Sequence, residues 1–136
     1  MVFTTNKIHL KINDAARKNN VKKLKKYIKK GYSLNICDQP TNWTPLHYAS
    51  FYGNVEMVKF LIQNGLNVNA KTIGGSTPLQ KAVDCNHFEV MKILVENGAD
   101  RNRMIFSNIY HSEEIEKYLQ NPSAIANPMG KNHAMP

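Results

Sequence analysis

A block of this chain recurs 33 residues later, and that recurrence restricts the fold more than any other feature. Thr44-Pro45-Leu46-His47-Tyr48-Ala49 is echoed by Thr77-Pro78-Leu79-Gln80-Lys81-Ala82. The stretch Val55 to Leu61 returns as Phe88 to Leu94, and Asn64 to Asn69 returns as Asn97 to Asn102. A threonine before a proline marks a helix start. Its hydroxyl caps a free N–H, and proline loses nothing at the first helical position. Gly53 and Asn86 stand at matching places and suit the left-handed residue that ends a helix. Val55, Val58, Leu61 and Ile62 then recur at three-to-four-residue spacing, which predicts a second amphipathic helix closed by Gly65, or by Gly98 in the next copy. Each unit is therefore predicted as helix, turn, helix and extended loop. A unit this small cannot bury its own apolar side, so the units must stack.

A more divergent copy precedes these two. Ala15, Asn20, Val21, Gly31 and Asn35 lie 34 residues before Ala49, Asn54, Val55, Gly65 and Asn69. Leu10 and Lys11 replace the Thr-Pro pair, and one extra residue falls between Asn35 and Pro45. Past Asn102 the pattern decays, and Glu113 to Asn121 matches only the second half of a unit. The changes in the first copy are selective. Val21, Leu24, Tyr27 and Ile28 keep one apolar stripe of the second helix. The other stripe, carried by Met57 and Phe60 and by Val90 and Ile93, becomes Lys23 and Lys26. A stripe made polar suits a solvent-facing end. The expectation is that no folded unit precedes this one and that the chain is nearly complete.

The period and the Thr-Pro-Leu-His-x-Ala string resemble those of the ankyrin-repeat family. The resemblance implies an all-α solenoid of about three and a half helix-turn-helix repeats with projecting loops. Residues 1–121 form the repeat domain. Within it, 7–36 is a basic capping repeat, 37–70 and 71–103 are full repeats, and 104–121 is a truncated one. Residues 122–136, with three prolines, form a tail that is either flexible or folded back through Ile125 and Met129. Family members commonly bind other proteins through the loop tips and the exposed ends of the first helices, on one concave face. Carried onto this chain, that face comprises Trp43, Tyr48, Phe51, Tyr52, Ile73, Lys81 and Asp84. Trp43, Phe51 and Tyr52 give way to Ser76, Asp84 and Cys85 in the next unit, so no shared core demand explains the rings. Trp and Tyr serve well as anchors because they bury much area with few rotatable bonds. The competing reading has the rings simply packed on one another. His47 is expected to hydrogen-bond the loop backbone, as is typical of the family string.

The charge is lopsided. Of a net +8, residues 1–31 contribute ten Lys or Arg against one acid, Asp14. Lys22, Lys25, Lys26, Lys29 and Lys30, with Lys23, form a basic patch. It is either a solvated capping face or an electrostatic binder of nucleic acid or acidic surfaces. No apolar run is long enough for a membrane helix, and the first ten residues lack a secretory signal. Cys37 and Cys85 lie apart with no metal-ligand spacing or activating neighbours, which fits a reducing, cytoplasmic setting. His9, His87, His111 and His133 are scattered, and although Asp84 near His87 could be read as an acid–base pair, helix-end residues of this kind are usually just solvated. The expectation is therefore no catalysis, no cofactor and no metal. What remains is a monomer that binds another protein, with nucleic acid as the less favoured partner. An inhibitory or regulatory subunit of an enzyme would look the same. So would an effector delivered to a host cytosol.

Overall fold

The computed structural model describes residues 7–101 and 112–120. They form seven helices and no strand: α1 (Lys7–Arg17), α2 (Val21–Lys29), α3 (Pro45–Phe51), α4 (Val55–Gln63), α5 (Pro78–Asp84), α6 (Phe88–Glu96) and α7 (Glu113–Gln120). The helix starts arise as the Thr-Pro pairs predict. Thr44 is extended, and its hydroxyl accepts from His47 N at 3.3 Å while the His47 ring accepts from Thr44 N at 3.1 Å. Both backbone donors are thereby satisfied at one end. Thr77 likewise accepts from Gln80 N at 3.2 Å. The turns after α3 and α5 pass through Gly53 and Asn86 at φ +70 and +63.

The helix pairs stack in two layers. α1 packs on α3 and α3 on α5, while α2, α4 and α6 form the second layer. Ile12, Leu46 and Leu79 fill one repeated core position, and Leu24, Val58 and Met91 fill another, all fully buried. Burial of such side chains is worth about 1.5–3 kcal/mol each. α7 continues the stack at the other end. Ile115 is fully buried, and Tyr118 meets Phe88 edge to face at 5.8 Å.

Polar side chains lock one unit to the next. Asn54 Nδ2 donates to the Ala16 and Arg17 carbonyls, both at 2.9 Å, and His87 Nε2 reaches the Phe51 carbonyl at 2.9 Å. Both residues open the second helix of their unit, yet neither caps it, because each reaches back to the preceding first helix. Asn20 stands at the same place in the first unit. No described helix packs ahead of it, and it caps its own helix by accepting from Lys23 N at 3.1 Å.

Lys26 is exposed and Lys23 is half-buried, so neither is enclosed between helices. One expectation needs correction. The apolar stripe of α2 is not buried along its whole width, because Ile28 is 37% exposed. It lies about 100° round the helix from Tyr27, at the stripe's edge. Ile125, Met129 and the whole tail, like residues 102–111, lie outside the described residues.

Candidate functional site

The loops before α3 and α5 are short hairpins. Asp38 N donates to Trp43 O at 2.8 Å, and Thr72 N to Ser76 O at 2.9 Å. The extra residue falls inside the first hairpin, where Asn42 takes φ +60. Gly75 (φ +84) makes the tight turn of the second. The two hairpins are stitched together by Ile73 N donating to Thr41 O at 2.8 Å. Ile73 projects from the tip, 74% exposed.

Behind these tips the aromatic residues form one cluster. The Trp43 ring lies 5.0 Å from Tyr48 and 5.7 Å from Phe51, and Phe51 lies 5.0 Å from Tyr52. Together with Thr41 they line a depression of about 290 Å³. Phe51 and Tyr52 remain 37% and 47% exposed. The rings therefore do pack on one another, and they also leave an open apolar surface. α5 contributes to the same place, because the Lys81 ammonium stands 4.3 Å above the Trp43 ring. Such a contact is worth about 0.5–1 kcal/mol at an exposed site. Asp84 turns elsewhere and accepts from Gln80 Nε2 at 2.8 Å.

The support beneath this surface is polar and largely satisfied. Asp38 accepts from Asn13 Nδ2 at 2.7 Å and from the Tyr48 hydroxyl at 2.5 Å. Burial, reinforced by that carboxylate, pushes the Tyr48 phenol far above its ordinary range. Tyr48 thus holds the loop as well as lining the depression. Asn13 occupies in the first unit the place of His47 in the second, and a 34-residue alignment could have found it. Arg17 pairs with Asp14 at 2.6 Å on one flank. The Arg17 contact holds the Asp14 carboxyl below its ordinary value. His47 bridges two hairpins by hydrogen-bonding the Ser76 carbonyl at 3.0 Å, and burial lowers its pKa to about 4. A neutral imidazole in that role is structural.

The remaining candidates do not converge. The proposed Asp84–His87 pair is divided between Gln80 and the Phe51 carbonyl. Burial raises the Cys85 thiol, the opposite of activation. Among the described residues no His, Cys, Asp and Glu gather in threes to hold a metal. No described helix is long and apolar enough to cross a membrane.

The model for ankyrin repeats (3 copies) matches residues 12–105. The chain belongs to the ankyrin-repeat family. Ankyrin repeats are protein–protein interaction modules and generally non-catalytic. The cattle ankyrin repeat and SOCS box protein 3 is 40% identical over 91 residues, covering 65% of this chain and 17% of that protein. The human counterpart is 38% identical over the same length, with the same shares of each chain. The 2-5A-dependent ribonuclease of mouse is 33% identical over 64 residues, 47% of this chain and 9% of that enzyme. This chain spans less than a fifth of the length of each of these relatives. The ankyrin framework explains why His47 and the Thr-Pro caps are structural. It does not account for the rings of Trp43, Tyr48, Phe51 and Tyr52, whose counterparts in the next repeat are Ser76, Lys81, Asp84 and Cys85.

Proposed function

We propose that this chain binds another protein through the concave face built by the hairpin tips and the first helix of each repeat. The anchor is the patch of Trp43, Tyr48, Phe51 and Tyr52, extended by Ile73 at the tip and Lys81 on the neighbouring helix. Asp84 contributes only at the rim. Residues 7–121 supply the repeats, and no step of chemistry is assigned to any of them.

The observation that carries this reading is the open ring cluster. Four aromatic side chains in contact keep two members substantially exposed, and the equivalent positions of the next repeat are Ser76, Lys81, Asp84 and Cys85. The exposed faces of Phe51 and Tyr52 add nothing to the stack's core, against which only Tyr48 of the four rings packs. Aromatic anchors surrounded by polar groups are the usual make-up of binding hot spots.

The test is a binding comparison between the parent chain and two variants, Tyr52→Ala and Ile73→Ala. Both side chains are largely exposed, so melting temperatures should hold within a few degrees. Partners captured by the parent chain should bind each variant roughly tenfold or more weakly. Equal affinity for all three chains would remove the concave face as the binding surface.

A further inference from the structure

A second surface lies on α2, away from the aromatic patch. Lys22, Lys23, Lys25, Lys26, Lys29 and Lys30 fall on one side of this helix, opposite the buried Val21, Leu24 and Tyr27. None of them has an acidic partner among the described residues, although Asp14 on α1 takes both Arg17 and Lys18. Several of these lysines are three or four positions apart, a spacing at which like charges repel along a helix. A face needed only for solvation could have interleaved acids, as α7 does with Lys117 and Glu113 at 2.7 Å. Lys22, Lys23, Lys26 and Lys30, with Asn20 and Tyr27, border a depression of about 400 Å³.

The chemistry of this face selects among anions. Lysine ammoniums are compact point charges that suit clustered phosphates without requiring one planar geometry. Lys22, Lys26 and Lys30 advance in steps of about 6 Å along the helix and span about 12 Å. That is the scale of a single headgroup, against about 34 Å for one turn of a DNA duplex. The positive ground is also local, because the sequence after Gly31 holds eight basic and nine acidic residues. A long nucleic acid running from the patch toward the later repeats would meet no net positive charge. The face has no arginine, its own ring, Tyr27, is buried, and the exposed Tyr32 just beyond the helix stands edge-on to Tyr27 at 6.2 Å, so it offers at most one ring where a strand of bases would need a series of them.

We propose that the lysine face of α2 binds a compact, multiply phosphorylated anion of the inositol polyphosphate class, either free or as a lipid headgroup. This site is independent of the concave face, and either can fail without the other.

The test titrates the full chain with inositol hexakisphosphate by calorimetry. A parallel arm measures co-sedimentation with phosphatidylcholine vesicles containing phosphatidylinositol bisphosphate. Phosphatidylserine vesicles of matched surface charge are the control. The triple variant Lys22→Gln, Lys26→Gln, Lys30→Gln changes exposed side chains only, and Lys59→Gln with Lys71→Gln controls for charge elsewhere. Saturable binding of one anion per chain is expected, weakened roughly tenfold or more in the triple variant and unchanged in the control. Binding of hexakisphosphate without preference for the phosphoinositide vesicles identifies a free anion, and preference for those vesicles identifies the headgroup. The proposal is overturned by equal response to both vesicle types together with no saturable hexakisphosphate binding. Binding unaffected by the triple variant would overturn it too, as would tighter binding of short duplex DNA or polyglutamate at the same ionic strength.

Discussion

The first and second repeats share a backbone plan and differ in what their second helices face. α4 presents Met57 and Phe60 towards α2, and Met57 is fully buried with its N–H donating to Asn19 Oδ1 at 3.2 Å. α2 presents Lys23 and Lys26 at the same positions, with no described helix against them. The N-cap residues follow suit. Asn54 gives up capping its own helix in order to hold α1, whereas Asn20, with no described helix ahead of it, caps α2. One position in the repeat therefore does different work according to whether a neighbour is present. A stacking residue is read correctly only with its neighbour in view.

The sharpest way to break this comparison is to exchange the stripes. Met57→Lys puts a charge in a site with no solvent access, and urea unfolding should show a loss of about 4 kcal/mol or more. Lys23→Met should move stability by no more than about 0.5 kcal/mol. Similar losses from the two substitutions would mean that the faces are not distinguished by burial.

A second expectation concerns His47, which joins the hairpins of the second and third repeats. Its folded pKa of about 4 lies below the ordinary imidazole value of 6.5. Above pH 6.5 both states are neutral there and stability is unaffected. As pH falls from 6.5 to 4, the unfolded chain binds a proton that the folded chain refuses, so stability declines, by about 3 kcal/mol in total. Below pH 4 this contribution levels off. His47→Gln, the residue type of the next repeat, should flatten the decline. Denaturant midpoints across that range would decide the matter, and an unchanged slope in the variant would assign the pH dependence to other groups.

The smallest effect sharpens the contrast between Asn54 and Asn20. Asn54→Ala removes two bonds to α1 and should cost about 2 kcal/mol. Hydrogen exchange should show protection lost first in α1 and α2, with α5 and α6 spared. Asn20→Ala removes one local cap and should cost about 1 kcal/mol. Exchange that quickens uniformly along the stack in the Asn54 variant would argue that the repeats unfold as a single unit.

The fold was largely legible because the repeat prints its own boundaries. The Thr-Pro starts, the left-handed Gly53 and Asn86, and the core positions recurring every 33 or 34 residues are local signals that stacking reinforces. The binding surface was only partly legible. Trp43, Phe51 and Tyr52 stood out because their counterparts in the next repeat are small or polar. The contact of Lys81 with Trp43 joins adjacent repeats and has no signal in either one. Tyr48 looked like a simple contact residue, yet its hydroxyl is committed to Asp38. Asp84 looked free on a helix end and is engaged by Gln80. Ile28 fitted a buried stripe by spacing, but burial at a stripe's edge depends on what packs beside it.

The sequence by itself determined the helix pairs, their period and the residues that fill the core, because these depend on capping and periodicity within one repeat. The tertiary structure decided how each polar side chain is spent. Asn54, His87, Asn13 and Lys81 all act across a repeat boundary, and a hydrogen bond or ring contact between repeats is set by stacking geometry that no single repeat encodes.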